Sequence, residues 1–252
     1  VESLSIEFPQ VRFLLLEEAM SPGGAINLAM SYVKTNTAAV IWSTMDAPVG
    51  IDRALNALRN SKSVCVAPVL RGENSELLPV VQAPALHGTA LRVLSLPARS
   101  DGEVTLYPFD YAALYDRTRY EDIGGYDERL VHPFWQKLDF GFRLYLWGGT
   151  IPTVPAFRIV YKSMPEAEDQ TGDANYARFY ARNLAVRVGE HGVRLPPLSA
   201  LRFAIGSRMG PIKVGRIFRE TREWLKTVQG RYVRDPRDLV EGWSVTTEQK
   251  DG

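Results

Sequence analysis

The sequence predicts an α/β fold: a mostly parallel sheet flanked by helices, followed by a helical C-terminal extension. Three observations predict it. Short apolar runs alternate with helically spaced segments over the first third of the chain. A long periodic segment stops at Gly148-Gly149. Beyond residue 165 the pattern turns to basic amphipathic helices.

Taken in order, Val11 to Leu16 is a short apolar run of the kind that forms a central parallel strand. Ser21-Pro-Gly-Gly24 breaks the chain. Ile26, Ala29, Met30 and Val33 then recur at helical spacing and predict a helix over 25–33. Ala38 to Trp42 is a second strand, which ends at Ser43-Thr-Met-Asp46. A helix follows over 51–58, and Ser63 to Leu70 is a third strand. This rhythm predicts right-handed crossovers between parallel strands. Residues 71–105 hold several prolines and read as a loop excursion carrying two short strands. Periodicity returns at Tyr111 to Tyr115. A helix is expected over 134–147, and a strand broken by Pro152 and Pro155 over 150–160.

In the tail, Tyr176, Tyr180, Leu184 and Val188 predict a helix over 174–188. Val214, Ile217, Phe218, Thr221, Trp224, Leu225 and Val228 share one face of a helix over 213–228. That face either packs on the rest of the protein or lies on an anionic membrane surface, with Phe218 and Trp224 at the interface. Residues 200–234 carry nine Lys and Arg, opposed only by Glu220 and Glu223.

Composition bounds the function. There are 30 Lys plus Arg and 29 Asp plus Glu, a net charge of +1, which argues against a nucleic-acid partner held by bulk charge. One cysteine, Cys65, excludes an intramolecular disulfide and a cysteine-rich metal site, and its apolar surroundings place it in the core. His87, His132 and His191 show no metal-ligand spacing. No run approaches the ~20 apolar residues of a membrane-spanning helix, and the start shows neither a signal peptide nor an initiator Met. Dinucleotide, P-loop, zinc-protease and nucleophile-elbow motifs are absent.

One combination is more specific: a strand ending at Asp46, then Ile123-Gly-Gly-Tyr-Asp-Glu128, then Asp139-Phe-Gly-Phe-Arg-Leu-Tyr-Leu-Trp-Gly-Gly149. With Phe8-Pro-Gln-Val-Arg-Phe and Gly24-Ala-Ile-Asn27, this order over residues 5–162 resembles family 2 glycosyltransferases of the GT-A fold. The resemblance implies a GT-A-like domain over 1–165 and a basic amphipathic helical extension over 166–252. It also implies transfer of a sugar from a nucleotide-sugar donor to a hydroxyl of a surface glycan or lipid-linked acceptor, with inversion. Such proteins work in the cytoplasm, peripherally on the inner face of the membrane.

Such an enzyme neutralises a diphosphate leaving group and deprotonates an acceptor. The resemblance puts Lys137 where the family's base would stand, so Asp139 becomes the candidate base in its stead, and Asp46 becomes the carboxylate for Mg²⁺ or Mn²⁺. Gly24, Asn27, Asp46, Gly124, Gly125, Asp127 and Lys137 become donor and acceptor contacts. The sequence departs from the family pattern in four places. The DxD equivalent reads Thr44-Met45-Asp46, which weakens the cation site. The acidic pair aligns with Gln136-Lys137. Tyr161-Lys162 stands near the usual histidine, and the family's first two strands have no counterpart. These departures support an alternative, a catalytically impaired binding or scaffold subunit. Asp139 and Arg143 also stand i, i+4 apart and can form a helical ion pair instead. Asp46 also reads as a turn residue, Asp127 as closing its turn, and Trp135 as core.

Overall fold

The computed structural model describes residues 2–87, 90–163, 165, 168–171, 174–189, 192–207, 209–241 and 243. The order is α1 (Glu2–Glu7), α2 (Pro22–Tyr32), β1 (Thr37–Val40), α3 (Ile51–Ser61), β2 (Cys65–Arg71), β3 (Val81–His87), β4 (Ala90–Leu96), β5 (Val104–Thr105), β6 (Ala113–Asp116), α4 (Arg117–Asp122), α5 (Pro133–Leu146), β7 (Ile151–Val160), α6 (Ala174–Phe179), β8 (Arg187–Gly189), β9 (Gly192–Arg194), α7 (Ser199–Gly206), α8 (Pro211–Val228) and α9 (Asp238–Glu241). His191 and Arg208 lie outside the described residues.

The main sheet has the order β1-β6-β2-β7-β5. The α/β class holds, but the pairing corrects the expected mostly parallel sheet. Only β2 and β7 pair in parallel; β6 pairs antiparallel with both β1 and β2, and β5 pairs antiparallel with β7. β1, β2 and β7 still run the same way, as a helical crossover between β1 and β2 requires. The late strand β6 enters the slot between them from the opposite direction, and periodicity along the chain carries no information about that insertion.

Val11 to Leu16 forms no strand. An apolar run becomes a strand only by pairing; this one has no ladder partner among the described residues, and Leu15 is exposed. The 71–105 excursion is more ordered than expected, a seven-residue β3–β4 hairpin register followed by β5. The helix expected over 174–188 is shorter. α6 passes into a π-helical turn over Tyr180–Leu184, and Arg187 already pairs with Arg194. In β7 the ladder with β2 skips from Val154 to Arg158, so Pro155, which has no N–H to donate, sits in the skipped stretch.

Side chains alternate across the sheet. Cys65 and Ala67 face a core with Ile26, Met30, Tyr115, Tyr126 and Phe140, on the side of α2 and α5. Val66 and Leu70 face Ala54 and Leu58 of α3, with Phe157 and Ile159. Cys65 is fully buried, and burial pushes its thiol far up. A third core joins Leu146 to α6, α7 and α8; it holds Val214, Ile217, Phe218 and Leu225. The apolar face of α8 is therefore packed against protein. Phe218 is fully buried and Trp224 half-buried, which corrects the expectation that these two meet a membrane. Among the described residues no helix is long and apolar enough to cross a membrane.

Gly141 sets how closely α5 approaches the segment after β5. A Cβ there would stand 2.0 Å from the Leu106 carbonyl oxygen, a backbone atom that cannot swing aside. Gly141→Ala is expected to cost about 1–3 kcal/mol, seen as a lower denaturation midpoint in urea at unchanged slope.

Candidate active site

The carboxyl ends of β1 and β7, the start of β6 and the first turn of α5 meet at one end of the sheet. In α/β sheets, ligands collect where such strand ends open. A cavity of about 600 Å³ opens there, lined by Thr44, Asp110, His132, Lys137, Tyr161 and Glu168 among others.

Asp110 and Tyr111 are both left-handed, at φ 48° and 62°. Consecutive non-glycine residues in this region cost of order 1–3 kcal/mol each, and such strain gathers at functional sites. Side chains hold the kink. Trp42 Nε1 donates to the Asp110 carbonyl at 2.6 Å, Tyr161 Oη donates to Asp110 Oδ2 at 2.7 Å, and Tyr111 Oη donates to Gln136 Oε1 at 2.9 Å. Burial raises the Asp110 carboxyl above its ordinary value. The Tyr161 hydrogen bond and the Lys137 charge only partly restrain it, and Glu168 pushes it further up.

Lys137 is 4% exposed. Its ammonium lies over the rings of Tyr107, Phe109 and Tyr111 at 5.7, 5.8 and 5.2 Å and pairs with Glu168, which also accepts from Tyr107 Oη at 2.8 Å. Asp46 lies two residues past Thr44 and is not among the residues that line the cavity. It is exposed and 3.8 Å from Lys162, and its N–H donates to the Val160 carbonyl. Among the described residues no group of three or more His, Cys, Asp or Glu converges as a metal cage.

The paired-glycine turn borders a different cavity, of about 630 Å³, lined by Asn27, Gly124, Asp127, Arg143, Arg182 and Trp224 among others. Gly124 and Gly125 have φ of 79° and 56°, and a Cβ on Gly125 would stand 2.5 Å from Asn27 Oδ1. Asn27 brackets the turn. Its Nδ2 donates to the Tyr126 carbonyl at 2.8 Å, and its Oδ1 accepts from the Tyr126 N–H at 3.0 Å. Asp127 accepts from Arg129 at 2.9 Å and pairs with buried Arg182. Burial alone would raise the Asp127 carboxyl; the Arg129 hydrogen bond and the Arg182 charge outweigh it and hold it at about 2.

Asp139 lines neither cavity. It is fully buried, 3.2 Å from Arg143 Nη2, and accepts from Asn183 Nδ2 at 2.7 Å. Arg143 in turn donates to the Ile123 carbonyl and, at 2.7 Å, to the Gly125 carbonyl. The helical ion pair is thus what the geometry gives Asp139. Gly24 is buried in the first turn of α2, its N–H donating to the cap Ser21 Oγ at 3.2 Å. Gly125 is likewise buried and lines neither cavity. Trp135 packs among Phe134, Tyr176 and Phe179 as core. The structure therefore brings Lys137 close to the Asp46 strand end and sets Asn27, Gly124 and Asp127 apart.

Gln136 stands between the two groups. Its Oε1 accepts from the Gly23 N–H and Tyr111 Oη, each at 2.9 Å; its Nε2 donates to Ser21 Oγ and to the Asp127 carbonyl at 3.0 and 3.1 Å. Sequence reasoning missed Asp110 and Glu168. An Asp tolerates the left-handed region better than most residues, but Phe109-Asp-Tyr111 offers no spacing that separates it from any loop acid.

No family model matches the chain, and no curated protein matches it. Among solved structures, the chain is similar to the crystal structure of GalNAc-T7 with UDP, GalNAc and Mn²⁺. The TM-score is 0.55 at 11% identity, over 96% of this chain and 48% of that one. The fold is GT-A-like. The chain spans about half the length of that glycosyltransferase, and at this identity the likeness carries the fold alone.

Two outcomes are expected. Asp139→Asn strands a buried guanidinium and is expected to cost about 3–5 kcal/mol in chemical denaturation; wild-type stability would free this carboxylate for another role. Stability is expected to fall as pH drops from about 4 toward 2, because Asp127 is charged above its unfolded pKa and its pairing is lost on protonation. Asp235, also held at about 2, titrates in the same window, so Asp127→Asn should reduce the acid slope in a pH series of melts without abolishing it.

Proposed function

We propose that this chain is a glycosyltransferase that moves a sugar from a nucleotide-sugar donor to a hydroxyl of a glycan or lipid-linked acceptor, with inversion, at the cavity holding Asp110 and Lys137. The observation that carries this reading is a raised, cavity-facing carboxyl on a strained kink at the strand ends of a GT-A-like sheet.

The acceptor hydroxyl attacks the anomeric carbon while the bond from that carbon to the phosphate oxygen breaks. The acceptor proton passes to Asp110, whose Oδ2 is already held by Tyr161 and whose Oδ1 takes no hydrogen bond among the described residues. The diphosphate leaves with its charge, and Lys162 beside Asp46 meets it. Lys137 contributes less, because Glu168 neutralises it; its pairing serves mainly to fix the field felt by Asp110. One displacement inverts the anomeric centre. In this reading Asp110, and not Asp139, is the base.

Of the acids lining the cavity, Asp110 is bonded by Tyr161 and Glu168 is paired with Lys137; Asp46, two residues past Thr44, offers one exposed hard carboxylate. That fits Mg²⁺ or Mn²⁺ only as an ion shared with the nucleotide, since such ions take one or two protein carboxylates and complete their shell with phosphate and water. When bound, the ion would add to the charge compensation of the diphosphate. Asn27, Gly124 and Asp127 serve as acceptor contacts in the second cavity, while Gly24 and Gly125 shape the elements around them.

Isothermal titration of the full-length protein with UDP- and dTDP-sugars, with and without Mn²⁺, tests donor binding; no nucleotide binding in either condition overturns the reading. Asp110→Asn is expected to lower kcat for transfer or donor hydrolysis by about 10²–10⁴ with little change in KM. The acid limb of the wild-type pH profile should lie above the ordinary carboxylate range, because a carboxyl with a raised pKa becomes a base only at higher pH. Unchanged transfer by this variant removes Asp110 from the chemistry.

A further inference from the structure

The burial of Phe218 leaves the basic tail without the apolar contact first expected of it, yet another apolar surface lies close by. Leu198, Leu201 and Ile205 are 58%, 57% and 78% exposed. Their spacing sets them on one side of α7, opposite Phe203, which packs near Phe218 of α8 with ring centroids 6.0 Å apart. Ile212, 82% exposed, opens α8 just past the connection. It shares with Arg216 and Arg219 the side of α8 opposite buried Val214, Ile217 and Leu225. Four bare branched side chains on one helical hairpin exceed the singly scattered apolar residues of an ordinary surface.

The charge around them is of one sign. From residue 191 to 219 the sequence holds six Lys and Arg and no Asp or Glu. Arg194, Arg202, Lys213, Arg216 and Arg219 are all exposed. Among the ion pairs between described residues, none involves these five; the pairs of the tail use Arg178, Arg182, Lys226 and Arg237. A protein groove would be expected to answer bare cations with a few placed carboxylates. A flat surface offering both hydrocarbon and spread negative charge answers both features together.

We propose that the α7–α8 hairpin docks on an anionic lipid bilayer, with Leu201, Ile205 and Ile212 entering the acyl boundary and the surrounding Arg and Lys meeting lipid phosphates. The proposal stands apart from the sugar-transfer reading and survives its failure.

The test is co-sedimentation of the full-length protein with phosphatidylcholine vesicles, with and without phosphatidylglycerol. Binding is expected only with the anionic lipid and should weaken with salt. Ile205→Glu and Ile212→Glu, both at exposed positions, should each lower the partition coefficient about tenfold or more. Arg216→Gln and Arg219→Gln should each lower it about fivefold. Circular dichroism melts confirm that the variants fold. Equal binding to neutral vesicles, or indifference to the Ile substitutions, overturns the proposal. So does sedimentation equilibrium showing a dimer that Ile205→Glu dissolves in a protein that binds no vesicle. Binding to heparin that is unaffected by the Ile substitutions, without vesicle binding, overturns it in favour of a simple polyanion site.

Discussion

The contact on which most of the molecule depends is the buried pair of Asp139 and Arg143. A guanidinium in a protein interior is tolerated only when its donors are used. Here they reach one carboxylate and two carbonyls of the glycine turn, while Asn183 bonds the same carboxylate from the π-helical turn after α6. One residue pair on α5 thus fixes the bend that follows α4 and ties it to the C-terminal helices. The short π-helical turn places Asn183 and Arg182 side by side, one bonding Asp139 and the other Asp127. Sheet, turn and tail are cross-linked by charge as well as by packing.

The kink at Asp110 and Tyr111 works in the opposite sense, since it is held against a local preference. Indole, phenol and amide groups from β1, β7 and α5 each fix one atom of it. The cost of the left-handed pair is met by elements that pack for their own reasons. A carboxylate placed this way is preorganised: its orientation is set before anything enters the cavity. The aromatic rings around Lys137 keep that charge dry and close.

Much of the fold was legible in the sequence. α2, β1, α3, β2, α5 and β7 lie within a few residues of where periodicity and the glycine stops put them, because each is defined by local spacing. What failed was non-local. Val11 to Leu16 has the composition of a strand, but a strand exists only against a neighbour. The direction of β6 follows from its slot in the sheet. The site divided along the same line. Asp127, Gly124 and Asn27 share one cavity, whereas the resemblance sets them in a single cleft with Lys137, Asp46 and Asp139. For the acid on α5 the i, i+4 spacing to Arg143 pointed to the ion pair that forms, while its complete burial, which sets it away from both cavities, is not written in that spacing. Asp110 was invisible because its distinction is a backbone angle.

Gln136 makes four hydrogen bonds, two at each end of its amide. A glutamate there would keep the two acceptor contacts and take a hydrogen bond from the Ser21 hydroxyl, but it would set a carboxylate oxygen against the Asp127 carbonyl. Gln136→Glu would therefore loosen the joint between α2, the kink and the glycine turn before it supplied any chemistry. The junction thus selects an amide: only a side chain that accepts at one end and donates at the other meets all four partners.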